Sequence, residues 1–107
     1  MDATDDLAYY LAEWYLPEMT TTSVDQMVAK LDAAAATVSN PSASARLVVT
    51  LSVPTDEVLY GVFGATSPDV VSQVCAQAGF PFQRISGDVS ARFQPHPLPE
   101  VADTAPV

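Results

Sequence analysis

The stretch from Leu7 to Leu16, Leu-Ala-Tyr-Tyr-Leu-Ala-Glu-Trp-Tyr-Leu, constrains the fold more than any other part of the chain. Its stiff aromatic bulk suits a pleated surface. At a period of two, the odd positions carry Leu7, Tyr9, Leu11 and Tyr15, with Glu13 the exception. The even positions carry Tyr10, Trp14 and two alanines. A strand that is apolar on both sides is covered on both sides, and so belongs in the middle of a sheet. Pro17 closes it, because proline has no amide proton for a ladder.

The segments that follow are read in the same way. Thr20-Thr21-Thr22-Ser23 offers hydroxyls to orphan helix amides, with Thr22 or Ser23 as the N-cap and Ser23 and Gln26 at capping-box spacing. Val24, Met27, Val28, Leu31, Ala35 and Val38 then recur at helical spacing, giving about four turns of amphipathic helix that end at Asn40-Pro41-Ser42. Residues 45–53 alternate: Leu47, Val49, Leu51 and Val53 to one side, Arg46, Val48, Thr50 and Ser52 to the other. After the turn Pro54-Thr55-Asp56, residues 57–65 form a strand apolar on both faces, and the short connection makes the two strands an antiparallel hairpin. Ser67, Pro68 and Asp69 start a second helix whose inner face is Val71, Val74, Cys75 and Ala78, and Gly79 ends it. Residues 83–93 alternate again, with Ile85, Val89, Ala91 and Phe93 on one face and Arg84, Ser86, Asp88, Ser90 and Arg92 on the other.

The order strand, helix, strand, strand, helix, strand predicts an α+β fold of ferredoxin-like βαββαβ type. It has a four-stranded antiparallel sheet with two helices on one face. The first and third strands, apolar on both sides, are the central pair of that topology. Residues 1–6 are a loose N-terminus, 7–93 the domain, and 94–107 a tail holding four of the nine prolines: Pro95, Pro97, Pro99 and Pro106. The uncovered face is expected to be greasy at its centre, with a polar rim of Arg46, Thr50, Ser52, Ser86, Asp88 and Ser90. Two such faces packed together predict a homodimer of the dimeric α/β barrel type.

Charge narrows the partners. Thirteen acids against four bases give a net charge of −9. Nucleic acid and anionic membrane both need clustered Lys and Arg, so neither is an expected partner. Asp2, Asp5 and Asp6 stand where a signal peptide would carry positive charge, and no apolar run reaches the ~20 residues that span a bilayer. The single Cys75 fits a reducing compartment. A cytoplasmic location is expected.

Three segments carry a family resemblance: Tyr10-Leu11-Ala12-Glu13-Trp14-Tyr15-Leu16-Pro17, Val53-Pro54-Thr55-Asp56-Glu57-Val58-Leu59-Tyr60, and Ala78-Gly79-Phe80-Pro81-Phe82-Gln83-Arg84-Ile85. Over about residues 8–92 the chain resembles a family of small bacterial ferredoxin-like domains of unknown function. Some of its members are described as nickel-binding or nickel-responsive. The resemblance implies the same α+β fold and frequent dimerisation. Nickel sites draw on histidine nitrogen, and the one histidine here, His96, lies in the tail beyond the matched span.

Glu13, Trp14, Tyr10 and Tyr60 are the candidate ligand-pocket residues. Glu13 is a carboxylate among aromatics, open to a raised pKa or to pairing with Arg46, Arg84 or Arg92. The aromatics could stack on a flat ligand or simply pack. Cys75 reads as a small buried hydrophobe, and without a histidine in the folded region no hydrolytic triad can form. Gly61 and Gly64 lack the Lys-Ser or Lys-Thr of a phosphate loop and read as points where a helix or a neighbouring chain comes close. No catalytic residue, metal site or cofactor is expected. The leading expectation is a non-enzymatic dimeric binding or assembly module holding a small ligand between sheets. The alternatives are a cofactor-independent isomerase or monooxygenase of the dimeric barrel kind, and a nickel-binding protein.

Overall fold

A computed structural model describes residues 7–90 and 92. The elements are β1 (Ala8–Tyr15), α1 (Thr21–Val38), β2 (Ala45–Val53), a 3-10 turn (Pro54–Asp56), β3 (Val58–Ala65), α2 (Pro68–Ala78) and β4 (Arg84–Val89). The strands lie in the order β2-β3-β1-β4, and each neighbouring pair is antiparallel. This is the ferredoxin-like arrangement, with β1 and β3 in the centre as their two-sided apolar character predicts.

Side chains of both central strands alternate between a core and an open face. Ala12 and Trp14 of β1, with Leu59, Phe63 and Ala65 of β3, are buried against Met27, Leu31, Ala34 and Ala35 of α1 and Val70, Val71, Val74 and Cys75 of α2. Trp14 meets Phe63 edge-on at 6.4 Å between ring centroids. Its indole lies directly over Gly61, where an added Cβ would come within 2.9 Å of the indole and 3.2 Å of Leu47. The close approach at Gly61 is therefore made by the tryptophan of the adjoining strand, and not by a helix or a neighbouring chain as expected.

α1 begins earlier than Thr22 or Ser23. Thr20 is the N-cap: its Oγ1 accepts from the Ser23 amide at 3.0 Å, while the Ser23 Oγ accepts from the Thr20 amide at 3.0 Å. This reciprocal pair satisfies two orphan donors at once, and Ser23 takes the role expected of Gln26. The helix runs 18 residues, about a turn longer than expected. α2 follows its cues. Ser67 accepts from Val70, Pro68 occupies the first turn, and Gly79 at φ 86° closes the helix.

Two readings of the outer strands are corrected. In β2, Leu47 pairs with Phe63 but Val49 pairs with Val62, so Val48 is a one-residue bulge. Ala45 and Leu47 face the helices, whereas Val49, Leu51 and Val53 face the other way. The extra residue reverses the alternation in mid-strand. In β4 the register shifts beyond Ser86, which opposes Leu11, so that Val89 opposes Tyr9. Asp88 there adopts φ 54°. Ile85 and Val89 consequently occupy opposite faces. β4 ends at Val89, short of 93; Ala91 and Phe93, like the loose start and the tail from 94, lie outside the described residues.

Candidate functional site

The strand registers arrange the open face as four cross-strand rows. One row runs Val89, Tyr9, Gly64, Arg46, and the next runs Ser86, Leu11, Val62, Val49. The third runs Arg84, Glu13, Tyr60, Leu51, and the last runs Tyr15, Val58, Val53. The expected rim is altered by the bulge. Thr50 and Ser52 turn toward the helix side, and branched aliphatics take their place. Leu51 and Tyr15 are each 57% exposed and Val49 36%, although all three are large apolar side chains.

Of the four candidate residues, the structure brings Glu13 and Tyr60 together as cross-strand neighbours in the third row. It places Trp14 and Tyr10 on the opposite side of the sheet, packed into or against the core. Trp14 donates its indole N–H to the Phe80 carbonyl at 2.7 Å, which satisfies its one polar atom and ties β1 to the end of α2. The four residues therefore do not line one pocket.

Glu13 pairs with Arg84, one of its three expected partners, at 3.8 Å between Oε2 and Nε. Arg84 is largely exposed, so this pair adds little stability, but it fixes the only carboxylate within the rows beside a positive group. At the end of the face, Tyr15 donates its hydroxyl to Glu57 at 2.8 Å. The hydrogen bond to that carboxylate, and then its charge, raise the Tyr15 pKa above the ordinary phenol value. Glu57 stands in left-handed backbone at φ 58°, and its carbonyl accepts from the Leu16 amide at 2.7 Å. The residues that sequence reasoning missed on this face are Val49, Leu51 and Val53 acting as one strip with Tyr60 and Val62. Only the position of the bulge reveals them.

Surface grooves lie elsewhere. One of about 290 Å³ is lined by Met19, Thr20, Thr21, Val24, Asp25, Ser52 and Pro54. A second, of about 210 Å³, lies between α1 and the β2 bulge. A third, of about 340 Å³, lies between the two helices. None is lined by Glu13, Tyr60, Tyr10 or Trp14. Among the described residues, no three His, Cys, Asp or Glu side chains converge on a point that could hold a metal ion. Burial pushes the Cys75 thiol up to about 12, so it is not a thiolate ligand or nucleophile near neutrality. The donor set does not fit nickel within the described residues, and His96 lies outside them. Among those residues no helix is long and apolar enough to cross a membrane.

Comparison with known proteins shows the fold and stops there. The chain resembles the crystal structure of SCO4226 from Streptomyces coelicolor A3(2), with a TM-score of 0.65 and 19% identity, over 78% of this chain and 100% of that one. No protein-family model matches the sequence. No curated protein matches it either.

Proposed function

We propose that the protein is a non-enzymatic assembly module of the cytoplasm that pairs with a second copy of itself through the open sheet face. The supporting observation is the Val48 bulge, which turns Val49, Leu51 and Val53 onto the same side as Leu11, Tyr60 and Val62. A contiguous apolar surface is stabilised by leaving water, at about 25 cal/mol per Å². A face that is apolar across three adjoining strands suits a twofold partner, because each copy then covers the other's patch. In such a pair the two Glu13–Tyr60–Arg84 rows would lie between the sheets, where a small ligand would meet their carboxylate, phenol and guanidinium groups.

Native mass spectrometry and sedimentation equilibrium at micromolar concentration test this together, since the first also reports any retained small molecule. The expected result is a two-chain species. Leu51→Glu, which puts a carboxylate on an already exposed position, is expected to leave the circular dichroism spectrum unchanged and weaken pairing at least ~10-fold. A chain that stays at 11.3 kDa throughout would refute the proposal.

A further inference from the structure

Charge on this molecule is distributed unevenly between the open face and the rest. Arg46 and Arg84 stand on the face by register, against Glu13. They are two of only four Lys and Arg residues in a chain of net charge −9. Glu18, Asp25, Asp32, Asp56 and Asp69 are exposed in the turns and helices away from the four rows. Asp88 sits at the β4 edge, and Glu57 at the end of the face is engaged by Tyr15. Among the described residues, the face is thus close to neutral, while the turns and helices away from it carry these five acids against Lys30.

The sheet edges point to the same occupant. Both outer strands carry register irregularities, at Val48 in β2 and between Ser86 and Val89 in β4. Bulges disfavour adding a strand to an edge. This leaves the face, and a near-neutral apolar face on an acidic body fits another copy better than a basic partner, which would seek the acids instead.

Resting on the pairing proposed above, we infer that ionic strength gates self-association: added salt strengthens it. Two bodies of −9 repel through space when they meet. The Debye length falls from about 30 Å at 0.01 M salt to about 8 Å at 0.15 M, so most of that repulsion is screened over this range. Apolar contact between the faces is short-ranged and is not screened. Raising salt therefore removes the opposing term and keeps the favourable one.

The experiment is sedimentation equilibrium of the full chain at pH 7 in 10, 50 and 150 mM sodium chloride. The dimer Kd is expected to fall at least ~10-fold from the lowest to the highest salt. A dimer whose Kd stays constant or rises with salt overturns the gating and leaves the pairing standing. A monomer at every salt concentration overturns both. The triple variant Glu18→Gln, Asp25→Asn, Asp32→Asn removes three exposed acids and takes the net charge from −9 to −6. It is expected to pair more tightly than the parent at 10 mM and to respond less to salt. A salt response equal to the parent's would show that body charge is not the cause, and would overturn the inference.

Discussion

Cys75 and Tyr15 both hold their protons more tightly in the folded chain than an unperturbed side chain does. Cys75 is fully enclosed by the core, and burial lifts its thiol from 9.0 to about 12. Tyr15 is raised through its hydrogen bond to Glu57 and the adjoining negative charge. A raised folded pKa contributes stability that is complete below the unfolded value and is lost as pH climbs toward the folded one. The midpoint of urea unfolding is therefore expected to be flat with respect to Cys75 up to about pH 9 and to fall between there and about 12. Cys75→Ala is expected to lower stability at neutral pH by about 1–3 kcal/mol through lost packing. It should also flatten part of the alkaline decline. A thiol that reacts with an alkylating reagent at pH 8 as fast in the native chain as in urea would contradict this account.

At the scale of elements, α2 is held by its two ends. Ser67 supplies an acceptor to the Val70 amide at 3.4 Å, and the Phe80 amide closes on the Cys75 carbonyl at 2.9 Å past the left-handed Gly79. Ser67→Ala is expected to cost about 1 kcal/mol and Gly79→Ala about 1–2 kcal/mol. Urea titration reads both, and the effects should add because the sites are far apart. These ends were legible in the sequence because Ser-Pro-Asp and Gly each act locally. The start of α1 was less so: four consecutive hydroxyl residues offer several caps, and only the mutual bonds of Thr20 and Ser23 select one. The outer strands were misread for a different reason. A bulge inserts one residue without any special residue type, so Val48 looks like its neighbours and the alternation after it is inverted. Of the site candidates, Glu13 and Tyr60 meet as cross-strand neighbours on the open face, whereas Tyr10 and Trp14 fall on the other parity of β1 and serve the core.

Considered whole, the domain was the most legible level, because element order and the two-sided character of β1 and β3 leave few arrangements of four strands and two helices. The make-up of the open face was the least legible, since it depends on a single unmarked register step. Pairing through that surface would couple folding to concentration. Heating the chain at about 1 and 100 µM is then expected to give a higher Tm for the more concentrated sample. Leu51→Glu should show a smaller dependence. Equal Tm values at the two concentrations for the parent chain would argue for a monomer.

The placement of Trp14 over Gly61 also divides the optical signals of the chain. The lone indole is sealed on the helical side, hydrogen-bonded to Phe80, and its emission reports on whether the interior is intact. Tyr9, Tyr15 and Tyr60 look out from the reverse side, so their fluorescence and ultraviolet difference spectra follow what happens there. The molecule thus carries separate native reporters for its interior and for its open face, and neither needs an attached dye.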